Sequence, residues 1–423
     1  MEKDNNCQEI TQCRVCGSGE LTQILSLGSL FVSNFVENQA EEGDKEIYPL
    51  VLVLCDATKG GCGLLQLKHT VSPRVMYRNY WYRSGVNKTM TQELEGIAHK
   101  AEEIAGLGAG DFVVDIGCND GTLVRSYKNP DIIRVGFEPA HNLVPYAEKH
   151  ATKVFNDFFS EVPFQKEFGD AKAKVITAIA MFYDLDDPNA FVRDIAKILH
   201  QEGIFIIQMS YLPSMLEQNA FDNACHEHLQ YYSLASLEAL LARHNLETFD
   251  VELNDVNGGS FRIYIRRKGG SMGKSQEGRK DRIAALRNRE KVLGIEKKET
   301  YDAFLARIEA LRKKTYDFIT SEIKQGKKVY AYGASTKGNT LLQYYGLDSS
   351  LITAAAERNP MKWGKKTIGT NIPIISEEQA RKDKPDYFLV LPWHFLPEFL
   401  EREKEFRAAG GKFIVPLPEF KII

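Results

Sequence analysis

The most constraining stretch of the chain is Asp111-Phe-Val-Val-Asp115-Ile-Gly117-Cys-Asn-Asp-Gly121-Thr-Leu-Val124. A short apolar run that breaks into two glycines four residues apart reads as a buried strand, a tight turn and a helix start. Such a unit needs neighbours. A strand without alternation is covered on both faces, which places it inside an α/β sheet flanked by helices.

The rest of the middle third supplies that sheet. Ile133–Phe137, ending in Glu138-Pro139, reads as a second strand, Val175–Phe182 as a fourth and Gly203–Met209 as a fifth. A reversed pair follows, Glu247–Leu253 and Ser260–Arg266, with Asn257-Gly258-Gly259 suited to a two-residue connection. A dinucleotide fingerprint would need Gly-x-Gly-x-x-Gly, but positions 119 and 122 are Asn and Thr. Asp115, Gly117, Asn119 and Gly121 instead suit S-adenosylmethionine, whose amino-acid tail needs no pyrophosphate cradle. Glu138 stands where an acidic residue takes both ribose hydroxyls. Asn156, Asp157 and Phe158 offer an acceptor and an aromatic face for the adenine. Ser260 and Arg262 lie at or beside the hairpin turn. The guanidinium suits a phosphate or carboxylate, and a plain hairpin is the alternative.

A second strand, glycine turn and helix start occurs at Lys328-Val-Tyr-Ala-Tyr332-Gly333-Ala-Ser-Thr-Lys337-Gly338-Asn339-Thr340. The Gly-Lys-Ser/Thr order of a Walker loop is absent, yet backbone N–H groups, hydroxyls and Lys337 at a helix start can cradle a diphosphate. Arg358, Asn359 and Lys362 follow, and a strand from Tyr387 ends at Trp393-His394. This reads as a smaller Rossmann-like unit without a ribose acid in the usual place after its second strand.

With 423 residues, the chain exceeds one core. Composition is that of a soluble globular protein, 43% hydrophobic and 26% charged, and a net charge of -3 gives no field to recruit nucleic acid polymers or membranes. The polar start and the lack of a long apolar run predict a cytoplasmic protein, with a monomer as the expected state. Cys13-Arg-Val-Cys16-Gly17 is a metal knuckle, and Cys55 and Cys62 complete four thiolates for a structural Zn²⁺, although their six-residue spacer is wide. The expected divisions are a zinc-binding domain at 1–75, a cofactor domain at 76–270, a helical connector at 271–327 and a nucleotide-type domain at 328–423.

Two further stretches carry chemistry-bearing side chains. Tyr80-Trp-Tyr82-Arg83-Ser84 packs phenols, an indole and a guanidinium into five residues, as a pocket lid or as an aromatic seam between domains. Phe221-Asp-Asn-Ala-Cys225-His226-Glu227-His228-Leu-Gln-Tyr-Tyr232 follows the fifth strand and gathers imidazoles, a carboxyl, a thiol and phenols. It reads either as a proton-transfer site or as a polar loop before the next helix.

Taken in order, these motifs resemble the sugar C-methyltransferases that make branched deoxysugars. The resemblance runs from the cysteine knuckles through Asp115-Ile-Gly117, His226-Glu-His228-Leu-x-Tyr-Tyr232 and Gly258-Gly259-Ser260-x-Arg262 to Gly333-Ala-x-x-Lys337-Gly-Asn339-Thr340 and Arg358-Asn359-Pro360. It implies a class I methyltransferase domain between a small zinc-binding domain and a C-terminal Rossmann-like domain. It also implies a thymidine- or guanosine-diphosphate-linked 4-keto-6-deoxyhexose, methylated at carbon 3 through an enolate. On that pattern His228 is the base, Glu227 holds or polarises it, and Tyr80 or Tyr82 lies near the sugar oxygens. Arg83, Ser84, Cys225, Ser260, Arg262, Tyr332, Gly333, Lys337, Asn339, Thr340, Arg358, Asn359 and Lys362 are the expected substrate contacts.

Three positions depart from the family: Cys225 where a tyrosine is usual, and Tyr183 and Asn257 where histidines are usual. They surround the sugar, which implies a shifted substrate: another configuration, another carbon, or an oxygen nucleophile. Tyr183 then supplies the phenol that Cys225 lacks. An O-methyltransferase and a non-catalytic nucleotide-sugar scaffold are the alternative readings.

Overall fold

The computed structural model describes residues 6–36, 47–72, 76, 83–270 and 278–423. In the N-terminal module β1 (Leu21–Phe31), β2 (Ile47–Cys55) and β3 (Leu65–Leu67) form an antiparallel sheet. Helix α1 (Lys88–Ala105) leads out of it, capped by the Asn87 side chain and stopped by Gly106 in the left-handed region. Its buried residues Leu94, Ile97, Ala98 and Ala101 follow helical spacing and cover one face of the sheet that comes next.

That sheet has seven strands: β4 (Phe112–Ile116), β5 (Ile133–Phe137), β6 (Lys153–Phe155), β7 (Ala173–Ile179), β8 (Leu199–Ser210), β10 (Leu246–Asn254) and β11 (Ser260–Arg267). Their spatial order is β10-β11-β8-β7-β4-β5-β6, and β11 alone runs against its neighbours. This is the class I methyltransferase arrangement. It reverses direction between β4 and β7, so the crevice for ligands opens at the carboxyl ends of those two strands. The apolar fourth strand stops at Ile179, earlier than Phe182, because Ala180 turns to φ 55° and Phe182–Asp184 winds into a 3₁₀ turn. The hairpin between β10 and β11 is also longer than two residues. Residues 255–259 form it, with Asn257, Gly258 and Gly259 all at positive φ.

The intervening β9 (Gln230–Tyr231) does not join this sheet. It pairs antiparallel with β3, Gln230 opposite Gln66 and Tyr231 opposite Leu65, so the 221–232 stretch is stitched to the N-terminal module. The connector is two helices with different allegiances. Helix α2 (Arg279–Leu293) puts Ile283 and Leu286 into the core of the seven-stranded sheet. Helix α3 (Lys298–Lys324) puts Tyr301, Phe304, Ile308 and Ile319 into the C-terminal core.

The last unit holds β12 (Val329–Tyr332), α4 (Thr336–Tyr345), β13 (Ala355–Glu357), β14 (Ile374–Ser376), β15 (Tyr387–Val390), β16 (Lys412–Val415) and β17 (Lys421–Ile422). Its order, β14-β13-β12-β15-β16-β17, repeats the doubly wound topology with only β17 antiparallel. One hydrophobic core joins β1 and β2, the segment Leu212–Tyr231 and this unit. At its centre Phe221 stacks on Tyr345, with ring centroids 5.3 Å apart. Among the described residues no helix is long and apolar enough to cross a membrane.

Candidate active site and metal centre

The four cysteines meet. Ligand atoms of Cys13, Cys16, Cys55 and Cys62 all lie within 4.8 Å of one another, with sulfurs 3.4 Å apart for Cys16–Cys55 and 3.6 Å for Cys13–Cys62. A tetrahedron with Zn–S bonds of about 2.3 Å has edges of about 3.8 Å, so the set fits a closed structural zinc site. The wide second loop is feasible because Gly61 passes under Cys55: a Cβ there would sit 2.6 Å from its sulfur. Between the first two ligands, Arg14 is buried and donates to Leu67 O at 2.6 Å and Thr70 Oγ1 at 2.6 Å. Asn189 Nδ2 in turn donates to the carbonyls of Arg14 and Val15. The metal knuckle therefore fastens the strand that carries β9 to the methyltransferase sheet.

At the first glycine turn, Gly117 and Gly121 both take positive φ, and a Cβ on Gly121 would stand 3.0 Å from Ala147 Cα. Asp115 lies beneath, accepting from Thr177 Oγ1 at 2.6 Å across β4 and β7, and burial pushes its carboxyl up to about 7. Glu138 directly follows β5. Its Oε2 accepts the N–H of Asn119 and its Oε1 that of Ala140, both at 2.8 Å, with Pro139 between, while burial raises its carboxyl pKa. Each oxygen keeps acceptor capacity for a ribose hydroxyl. Asn156 donates to Glu138 O at 2.8 Å and accepts from His141 Nδ1 at 2.6 Å. Beyond Asp157, which caps the next N–H, Phe158 is 40% exposed, an aromatic surface of the kind that covers an adenine. These residues fit S-adenosylmethionine.

Arg83 and Ser84, expected at the substrate, stand beside this glycine turn. Ser84 N donates to Asn119 Oδ1 at 3.0 Å, Gly85 N to Asp120 Oδ2 at 2.9 Å, and the Arg83 guanidinium covers the Tyr146 ring at 3.8 Å. Tyr80 and Tyr82 lie outside the described residues.

In the 221–232 stretch the two histidines separate by role. His226 is buried, bonds Tyr48 O through Nε2 at 3.1 Å and meets the Tyr48 ring edge-on, which makes it a tether to the N-terminal module. His228 donates from Nδ1 to Asn223 O at 2.7 Å, which leaves Nε2 as the basic nitrogen. Its ring lies 4.3 Å from that of Tyr183, and both line a cavity with Ser210, Asn223 and Gln230. Burial, reinforced by the charge of Lys337, pushes the His228 imidazole down to about 3, so it is neutral at physiological pH and a weaker base than an exposed imidazole. Glu227 is half-buried and desolvation pushes its carboxyl up to about 7, with the Cys225 thiol 3.9 Å away. Cys225 itself is buried and its pKa raised by desolvation, so it packs as an apolar group.

The C-terminal unit reaches into the same place. Lys337 Nζ donates to Asn257 O at 3.1 Å, and Trp393 Nε1 donates to Asp222 Oδ2 at 3.1 Å. The Trp393 ring also fills the space over Gly258, where a Cβ would come within 3.0 Å. Burial lowers the Lys337 pKa, with Asp222 opposing it, and pushes His394 down to about 3.

Several expected substrate contacts are occupied elsewhere. Arg262 is held by Glu93 at 2.6 Å, Gln208 at 2.8 Å and Glu252 at 3.2 Å, as an interior strut of the sheet edge. Tyr332 points into the C-terminal core, donating to Glu403 at 2.6 Å. Ser260 bonds Val256 O, Asn339 Nδ2 bonds Asn34 O, Thr340 is buried, and Arg358 pairs with Glu398 at the surface. Gly333 gives its turn room against Pro392, where a Cβ would lie at 2.9 Å. Lys362 donates to Ala334 O at 2.7 Å beside that turn, and Asn359 caps the following 3₁₀ turn. The sequence reading missed one acid. Glu357 is the last residue of β13, the second strand of its unit, and accepts the N–H of Ala334 at 2.8 Å. Its place at a strand end was legible, but a three-residue strand is hard to see in sequence.

Three family models match in chain order: a zinc binding domain at 13–77, a methyltransferase domain at 87–251 and a C-methyltransferase C-terminal domain at 255–418. The C-methyltransferase NovU of Streptomyces niveus is 31% identical over 416 residues, covering 98% of this chain and 97% of its own. Solved structures with likeness to part of the chain include a S-adenosylmethionine-dependent methyltransferase from Clostridium acetobutylicum. It is 13% identical over 42% of this chain and 92% of that one, with a TM-score of 0.34. Another is the magnesium protoporphyrin IX methyltransferase of Synechocystis, 12% identical over 42% and 79%, with a TM-score of 0.32. With its zinc module, cofactor turn and C-terminal unit matched from end to end, the chain belongs to the S-adenosylmethionine-dependent C-methyltransferase family.

Proposed function

We propose that the protein methylates a carbon beside the ketone of a nucleotide-diphosphate-linked 4-keto-6-deoxyhexose, at carbon 3. The observation that carries this reading is His228. Its Nδ1 is fixed on Asn223 O, its Nε2 carries no proton, and it lines a cavity with Tyr183. A neutral imidazole held there suits removal of a proton from carbon, the step that makes a ketone's neighbour nucleophilic. S-Adenosylmethionine would supply the electrophilic methyl group, held by Glu138, Asn119 and Asn156 over the Gly117–Gly121 turn.

The chain's own residues account for the remaining needs. Lys337 places a positive charge whose influence reaches His228, which favours an oxyanion in the cavity over a neutral ketone. Tyr183 offers a phenol to the same oxygen or its neighbour. Cys225 and Asn257 leave more room around the sugar than a tyrosine and a histidine would. This supports a sugar whose configuration differs from the usual family substrate. A carbon acceptor is favoured over a hydroxyl because the end-to-end relative is a C-methyltransferase.

The test is incubation with S-adenosylmethionine and thymidine- or guanosine-diphospho-4-keto-6-deoxyhexoses, followed by product mass and carbon shift. A gain of one methyl on carbon, with solvent deuterium entering the sugar before cofactor is added, is the expected result. A methoxy carbon signal would move the acceptor to oxygen. No methyl gain on any of these sugars, with cofactor bound, would remove the sugar from the reading.

A further inference from the structure

The cavity that holds His228 contains a phenol to which no role has yet been given. Tyr231 is 4% exposed and lines that cavity together with His228 and Tyr183. Among the described residues its hydroxyl has no hydrogen-bond partner. Two other hydroxyls of the lining are already engaged: Tyr211 donates to Glu290 Oε1 at 2.8 Å, and Ser210 Oγ meets Asn223 Oδ1 at 3.5 Å. A buried hydroxyl left unpaired is unfavourable in the fold alone, and an oxygen of a bound acceptor would satisfy it.

The strand fixes where this phenol stands. In β9, Gln230 and Tyr231 pair with Gln66 and Leu65 of β3, and successive side chains leave by opposite faces. Tyr231 packs in the core shared with the C-terminal unit, whereas Tyr232 packs in the core that contains Cys13 and Cys55. Gln230 Nε2 donates to Leu185 O, two residues past Tyr183. One short strand therefore ties down the turn that carries Tyr183 and holds Tyr231 in the same cavity. The groups facing the Tyr231 hydroxyl are those of Cys225 and Asp184, with the Arg14 guanidinium opposing them. Burial first, then those two groups, hold its pKa well above the ordinary phenol range, so the hydroxyl keeps its proton and remains a donor. The Cys225 thiol is a weak donor by comparison.

We propose that Tyr231 is a catalytic residue whose phenol donates a hydrogen bond to the ketone oxygen of the acceptor as that oxygen becomes an enolate. This rests on the keto-sugar reading above and adds the group that meets the developing charge. The step balances within the cavity. His228 Nε2 takes the proton from the carbon beside the ketone, the C–H electron pair becomes the C=C bond, and the carbonyl π pair moves onto oxygen. Tyr231 meets that oxygen with its hydrogen bond and keeps its own proton. Tyr183, edge-on to the His228 ring, is left to the neighbouring oxygen. A donor of this kind binds the charged oxygen more strongly than the neutral ketone, so it acts on rate and not on affinity.

The experiment compares Tyr231→Phe with the wild-type full-length protein on thymidine- and guanosine-diphospho-4-keto-6-deoxyhexoses. Deuterium entry from solvent without S-adenosylmethionine, and kcat for methylation with it, are both expected to fall by about 10²–10³-fold. KM for the sugar and calorimetric affinity for S-adenosylmethionine stay unchanged. The variant melts no earlier than the wild type, because the substitution removes an unpaired polar atom. Unchanged exchange and kcat overturn the proposal. A raised sugar KM at unchanged kcat also overturns it, since the phenol would then bind the ground state. So does a lower melting temperature, which would mean that the hydroxyl is paired within the fold. In each of these cases the wild-type protein still turns over and the keto-sugar reading stands. If the wild type neither exchanges nor methylates any of these sugars, that reading falls and this inference with it.

Discussion

The two doubly wound units share a topology and a carboxylate that clamps the backbone of the glycine turn, yet differ in what fills the crevice beside it. In the cofactor unit the turn after β4 is covered by a thin backbone layer, Ser84 and Gly85, bonded to Asn119 and Asp120. In the C-terminal unit the corresponding crevice is entered by the other domain: Lys337 grips the Asn257 carbonyl and Trp393 grips Asp222. The first crevice thus serves a ligand by itself. The second is fastened to the 221–232 stretch and the hairpin at 255–259. One scaffold does both jobs because the carboxyl edge of such a sheet presents two separate walls, one per neighbouring strand, and each can be assigned independently.

Removing the proton acceptor tests the division most severely. His228→Ala is expected to lower kcat by about 10²–10⁴-fold while calorimetry finds S-adenosylmethionine affinity intact, because His228 touches neither glycine turn. A parallel loss of cofactor affinity would mean the two crevices are not separable. Next in size, Glu138→Ala is expected to weaken S-adenosylmethionine binding by about ten- to a hundredfold and leave nucleoside diphosphate binding unchanged. If both ligands weaken together, the clamps do not act independently.

Glu227 gives a smaller, pH-dependent effect. Burial pushes its carboxyl up to about 7, above its ordinary value of 4.5. A folded-state pKa above the unfolded one contributes stability that is complete below 4.5 and is lost as pH rises through about 7. Wild-type protein should therefore lose on the order of 2 kcal/mol between pH 4.5 and 8 that Glu227→Gln does not lose. Urea melts of both proteins at the two pH values measure it; parallel losses would show that Glu227 ionises freely. Smallest is Trp393→Phe, which keeps the ring against Gly258 and removes only the N–H to Asp222. A destabilisation of about 1 kcal/mol and a few-fold drop in kcat, with KM for S-adenosylmethionine unchanged, would confirm that the C-terminal unit steadies the catalytic stretch. An unchanged kcat would confine Trp393 to packing.

Much of this was legible in the chain because it is local. Gly121 marks a turn that a residue with a Cβ cannot make against Ala147, and Glu138 directly follows the next strand. The cysteine knuckle is likewise a short-range signal, and Cys55 and Cys62 join it despite a spacer that needs Gly61 to fold under a sulfur. What misled was composition read without partners. Arg262 has the chemistry of an anion site, but Glu93 and Glu252 already neutralise it. Tyr332 stands next to a glycine turn, but the alternation of its strand sends it into the core beside Phe388 and Phe399. Glu357 escaped notice because β13 is only three residues long.

The sequence by itself determined the order of modules, both glycine turns, the thiolate quartet and the acid after the second strand of the cofactor unit. Each follows from backbone geometry or ligand spacing over a few neighbouring residues. The family resemblance already pointed to His228 over His226, but only the tertiary structure shows how differently the two are surrounded. His226 is spent on Tyr48, 178 positions away in the chain, whereas His228 is oriented by Asn223 and faces Tyr183. Tertiary contact also put Lys337 and Trp393 beside a stretch more than a hundred residues earlier. Burial and charge act through space, and no periodicity along the chain records which distant side chain will supply them.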